Sequence, residues 1–191
     1  MKYKFLLIIV SFLIFSCGGD TYTPKPTGYF RIDLPKKEYH QLEKECPFLF
    51  EIPNYTSVKP NINNPNKACW FDLVFINLNA SIYLSYKPVD GNLNQFLEDS
   101  RSLAFKHTVK AFDIEQQNIS FPEKKVYGLV YSIEGNAASA YQFHLTDSTN
   151  HFIRGSLYFN NMPNQDSIQP VLNFIKEDIT HLFETFEWKE I

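Results

Sequence analysis

His144 and His151 bracket the six residues LTDSTN, with Asp147 between them. If the chain turns back on itself there, both imidazoles come to lie diagonally on one face of a hairpin beside a carboxylate. Two ring nitrogens and a carboxylate oxygen could hold a divalent transition metal. Polar residues at the edges of a tight turn explain the same pattern with no metal, and that is the preferred expectation. A second reactive pair is Cys46 and Cys69. They either form a disulfide or lie as two buried thiols, since Phe48 and Trp70 beside them are core-forming residues. Closing that loop would contribute on the order of 3 kcal/mol. Neither cysteine neighbours an obvious base, so nucleophilic catalysis is not expected of them.

The remaining candidates point to contact rather than catalysis. No G-x-S-x-G, P-loop, H-E-x-x-H or C-x-x-C is present, so the expectation is no enzyme and no cofactor. His107 falls on the apolar side of a helical pattern and His181 on the polar side of another, as core or solvated histidines do. Arg31 with Asp33, and Arg154, place charge on strands that otherwise read as apolar. A solvent-facing row or a buried pair accounts for them, with a ligand-binding arginine as the other reading. Aromatic residues make up 16% of the chain. Tyr29, Tyr83, Tyr127, Tyr131, Tyr141 and Tyr158 fall on strand patterns and Tyr55 in a loop, and tyrosine is favoured where a surface meets a partner.

Composition narrows the class further. Lys and Arg number 18 against 21 Asp and Glu, a net charge of −3, with no basic cluster larger than a lysine pair. Nucleic acid is therefore not an expected partner. The start, MKYK followed by an apolar run to Phe15, is too short to span a bilayer and has the form of a signal peptide over residues 1–16. Its end, Ile14-Phe15-Ser16-Cys17, resembles a bacterial lipobox, which predicts cleavage before Cys17 and lipid, typically palmitate, on that residue. Two or more acyl chains anchor a protein stably. Cys17 would thus be the whole membrane attachment, facing the periplasm, and nothing after it sorts between inner and outer membrane.

The elements that must position these residues follow from periodicity. CGGDTYTPKPT, residues 17–27, reads as a tether. A single globular domain is expected over residues 28–191. GYFRIDLP alternates as a strand ended by Pro35, and PFLFEIP repeats the pattern. A long Asn/Pro loop follows, NYTSVKPNINNPNKA. CWFDLVFIN and ASIYLSYK predict a hairpin. Residues 93–111 recur at three- and four-residue steps as an amphipathic helix. Four strand patterns with short links follow, favouring antiparallel pairing. The last helix is predicted with Ser167 as N-cap and Pro170 in its first turn. The fold class is α+β, an antiparallel sheet covered by two amphipathic helices, similar in layout to the PsbP-like fold.

GYFRIDLPKKEY, PFLFEIPNY, WFDLVF with ASIYLSYKP, RSLAFKHTVKA, SAYQFHLTDSTNHFIRGSLYF and DSIQPVLNFIKEDITHLFETFEW occur in the order seen in the gliding-motility lipoprotein GldD family of the Bacteroidetes, which the chain resembles over its mature length. The resemblance implies a lipid-anchored envelope protein required for gliding, working by contact with other gliding-motility lipoproteins or with the type IX secretion machinery. Cys17 would be its lipid site. The surface expected to meet a partner holds Tyr29, Arg31, Asp33 and Tyr55. The alternative is a periplasmic small-ligand or metal-binding lipoprotein, or a hydrolase, with its site near His144 and His151.

Overall fold

Strands that alternate apolar and polar residues bury one face each, and WFDLVF and ASIYLSYKP meet on that basis. The computed structural model describes Gly28, residues 31–162 and residues 164–189. The expected signal peptide, lipidated Cys17 and tether lie outside the described residues, as does Tyr29. In chain order the elements are β1 (Tyr39–Gln41), β2 (Phe48–Leu49), β3 (Glu51–Pro53), β4 (Ser57–Pro60), β5 (Trp70–Phe75) and β6 (Ala80–Pro88). Helix α1 (Leu93–Phe105) precedes β7 (Ala111–Phe121), β8 (Val126–Gly135), β9 (Ser139–Thr146) and β10 (His151–Phe159). Helix α2 (Gln165–Thr185) and β11 (Glu187–Trp188) complete the chain.

Seven strands form one sheet in the order β4-β5-β6-β10-β9-β8-β7, with every neighbouring pair antiparallel. Residues 31–191 make one compact unit, and the class is α+β. Registers place Leu73 opposite Ile82, Ile82 opposite Leu157, and Leu157 opposite Tyr141. These side chains share the main core with Leu172, Ile175, Ile179 and Phe183 of α2. Burying each such side chain contributes roughly 1.5–3 kcal/mol. The other face carries a smaller cluster of Tyr131, Ile133 and Ala137 with Ala104 of α1. Consequently β9 is buried along all of its residues. Among the described residues, no helix is long and apolar enough to cross a membrane.

Several local expectations are corrected. The segment before β1 forms no strand where GYFRIDLP predicts one: among the described residues Arg31–Pro35 pairs with no neighbouring strand, and a backbone bond comes only at Glu38, whose carbonyl accepts the Asn54 N–H at 2.8 Å. Its Lys37 is instead held by side-chain contacts to α2. PFLFEIP divides at Phe50 into β2, paired with β11, and β3, paired with β1. The Asn/Pro loop contains β4, an outer strand of the main sheet. Helix α1 stops at Phe105, and a 3-10 turn over Lys106–Val109 leads into β7 at Ala111. The N-cap of α2 is Asn164, not Ser167: its side-chain oxygen accepts the Ser167 N–H at 3.4 Å. Pro170 then lies beyond the first turn, inside the helix. Cys46 and Cys69 are joined as a disulfide with Cα atoms 5.7 Å apart.

Candidate functional site

The turn between β9 and β10 decides the fate of the two histidines. Thr146 pairs with Phe152 and His144 with Arg154 across the ladder. His144, Phe152 and Arg154 therefore share one face, while His151 lies on the other, because side chains alternate along a strand. Their contacts agree. His144 stacks on Phe152 and meets Ser100 of α1, whereas His151 lies against Trp188 and within 2.8 Å of the Tyr86 hydroxyl. Asp147 spends its Oδ1 on the backbone N–H groups of Thr149, Asn150 and His151. Those bonds hold its carboxyl below the ordinary range, against an opposing effect of burial that is the largest single influence. The structure does not bring His144, His151 and Asp147 together. Among the described residues no three or more His, Cys, Asp or Glu side chains form a metal-holding group.

A cavity of about 820 Å³ opens beside His151, Trp188 and Asp147. Its lining balances three lysines, Lys124, Lys125 and Lys189, against Glu123, Asp147 and Glu187. Lys124 pairs with Glu187 at 3.8 Å and donates to the Glu184 carbonyl, and Lys189 donates to the Lys44 carbonyl.

Arg154 lies in a different setting. Strand β10 presents Arg154, Ser156 and Tyr158 on the face opposite the main core, since they alternate with Ile153 and Leu157. Register adds Gln142 from β9, Tyr83 from β6 and Asp72 from β5 to the same face. Two cavities meet at Arg154. One, of about 440 Å³, is also lined by Asn61, Asn63, Asp72, Tyr83, Ser156 and Tyr158. The other, of about 370 Å³, is lined by Trp70, Lys87, Phe96, Asp99, Ser100 and Lys106 among others. Arg154 has no carboxylate within ion-pair distance among the described residues, and its recorded bond is from Nη2 to Gln142 Oε1. Burial makes its guanidinium easier to deprotonate than usual. Burial likewise raises the Asp72 carboxyl, which the Asn61 amide at 3.3 Å partly offsets.

The nearest approach to a catalytic pair is Ser100 Oγ with His144 Nδ1, 3.2 Å apart. Both residues are buried. Burial first, and the Arg154 charge second, push the imidazole down to about 4. A ring so lowered is a weak general base, and among the described residues no carboxylate lies within hydrogen-bond distance of it. His107, half-buried in the turn after α1, is lowered by the same two causes.

The expected contact residues divide. Arg31 and Asp33 are exposed and pair with each other at 3.2 Å. Tyr55 is not a free surface aromatic. Its ring packs on Phe75 and Phe174, and its hydroxyl donates to Asp178. Tyr131 and Tyr141 are buried as well, while Tyr83 and Tyr158 form an open edge-to-face pair at 5.3 Å. His181 stacks on Tyr39 at 3.7 Å and reaches Glu51 at 2.7 Å. Sequence reading missed Gln142, Ser156, Asp72 and Ser100, which carry no motif. The available signal was the polar row at alternate positions of β10, Arg154-x-Ser156-x-Tyr158.

Residues 19–188 match a family model described as gliding motility lipoprotein GldD. No curated protein matches the chain.

Proposed function

The chain belongs to the gliding motility lipoprotein GldD family, and on that premise we propose that it is a non-enzymatic, lipid-anchored envelope component that acts in gliding through protein contact. Lipid on Cys17 confines the domain to the membrane surface on the periplasmic side. Its partners are other gliding-motility lipoproteins or parts of the type IX secretion machinery.

The observation that carries the contact reading is the outer edge of β7. It runs for 11 residues, AFDIEQQNISF, pairs with β8 on one side only, and contains no Lys, Arg or Pro. Sheet edges left for solvent are usually kept short or blunted by such residues, by other charges or by bulges, and here the irregularity lies at the start of the strand, between Ala111 and Asp113, with regular pairing from there to Phe121. This edge is long, and Val109 and Phe112 stand exposed at its start. Asp113 and Glu115 give it negative charge, so a partner strand with basic residues fits it by strand addition.

The test is Phe112→Ser with Gln117→Lys in living cells, read by gliding speed and by crosslinked partners recovered from membranes. Loss of gliding and of one specific envelope partner, at unchanged abundance and thermal midpoint, is expected. The unanchored Cys17→Ala chain should lose the same partner. Normal gliding and capture by the double variant would overturn the strand-addition reading.

A further inference from the structure

Charged side chains are almost never buried without a partner, because desolvation costs several kcal/mol per ion. Arg154 is half-buried, and among the described residues no carboxylate lies within ion-pair distance of it. Its guanidinium has five N–H donors, and Gln142 Oε1 is the acceptor recorded for it. Among the described residues the buried Arg154 Nε, Gln142 Nε2 and Ser156 Oγ have no hydrogen-bond partner. Gln142 and Ser156 are only 1% and 2% exposed, so water does not reach them freely. The cluster has donors in excess and lacks an acceptor.

Its surroundings define what the acceptor belongs to. Arg154 and Ser156 line the cavity of about 440 Å³, a size ordinary for small-ligand sites. Across it, Asp72 Oδ1 accepts from Asn61 at 3.3 Å, and no partner is recorded for its other oxygen. Tyr83 and Tyr158, set edge-to-face at 5.3 Å, supply an aromatic wall on which one ring face can rest. A dianionic phosphate would meet Asp72 as a like charge, whereas a single carboxylate on Arg154 leaves Asp72 to accept from hydroxyls. The adjoining cavity carries Lys87 and Lys106 against the single carboxylate of Asp99, a net positive lining.

We propose that the Arg154 cleft binds a sugar acid, its carboxylate on Arg154, its hydroxyls on Asp72 and Asn61, and its ring face on Tyr83 and Tyr158. The site is separate from the β7 edge, so binding here and partner contact there succeed or fail independently. Burial is the larger cause that depresses the half-buried His107 and the Arg154 charge the smaller; occupancy would neutralise that second influence and raise the pH at which the imidazole titrates.

The experiment is calorimetric titration of the detergent-solubilised full chain with glucuronate and galacturonate. Glucose, glutamate and inorganic phosphate serve as comparisons. Saturable uronate binding is expected, with the comparison compounds about tenfold weaker or more, the scale of one lost charge-assisted contact. Arg154→Gln and Tyr83→Ala should each weaken uronate by about tenfold, and NMR of His107 should show its pKa rise with uronate. Absence of saturable binding by folded wild type would overturn the proposal. So would undiminished affinity in Tyr83→Ala, or glutamate or phosphate binding as tightly as uronate. If Arg154→Gln does not fold, Tyr83→Ala and the His107 shift decide between the outcomes.

Discussion

The Tyr55 hydroxyl donates to Asp178 Oδ2 at 2.7 Å, joining the segment after β3 to the middle of α2. The other oxygen of the buried carboxylate accepts from the Tyr39 hydroxyl at 2.9 Å and from Lys37 Nζ at 2.7 Å. One carboxylate thus gathers three donors from the chain before β4. Asp178→Ala would strand two hydroxyls and remove the buried partner of Lys37, which keeps the Phe174 carbonyl and Glu177. We expect a loss of about 3–5 kcal/mol in denaturant unfolding, and about 1–2 kcal/mol for Tyr55→Phe.

The same contacts predict an alkaline limit. Burial first and the Asp178 hydrogen bond second raise both hydroxyls above their ordinary value of 10.0. Burial raises Tyr141 to about 12. Below pH 10 folded and unfolded chains both keep these protons and the contribution is whole. Above it the unfolded chain ionises first, so stability falls as pH rises. Unfolding midpoints from pH 8 to 12 should drop less steeply in Tyr55→Phe than in wild type, and parallel curves would refute the assignment.

His144 sets the acid counterpart. Its folded value near 4 lies below its ordinary 6.5, so the neutral ring is favoured by folding. The contribution is whole above pH 6.5 and is lost as pH falls toward 4, on the order of 3 kcal/mol. A His144→Gln variant should show a smaller loss of stability between pH 7 and 4. An unchanged pH slope would show that other groups carry the acid transition.

Reduction of the Cys46–Cys69 disulfide releases the loop that it closes, which spans 23 positions. Cys46→Ser with Cys69→Ser should lower stability by about 3 kcal/mol. Reductant should shift the midpoint of the wild type and leave that of the double variant unchanged. Equal midpoints for reduced and oxidised wild type would contradict this.

Gly155 sits opposite Phe143, whose ring meets Phe183 edge-on at 4.9 Å. A Cβ at position 155 would come within 2.2 Å of the Phe143 ring. Gly155→Ala must displace that ring and should cost about 1–3 kcal/mol. Adding Phe143→Leu should recover part of the loss, which a thermal or denaturant double-mutant cycle would measure.

Apolar alternation and helical periodicity determined most of the elements, because they report local burial directly. The β5–β6 hairpin, the strands from β7 to β10 and the apolar stripe of α2 were all legible in this way. Alternation alone misled at Arg31–Pro35, since a strand exists only when a neighbour takes its backbone bonds, and that neighbour is a tertiary fact. The histidines show how narrow the margin was. With a side-chain period of two, one residue in the β9–β10 turn decides whether His151 joins His144 or faces the opposite layer. Only the register, Thr146 against Phe152, settled it. Arg154 and Asp178 are likewise ordinary charges in the sequence. What distinguishes them is the company each keeps: unpaired donors around the one, three converging donors around the other. Those neighbours are brought together from distant parts of the chain by the packing of both sheet faces.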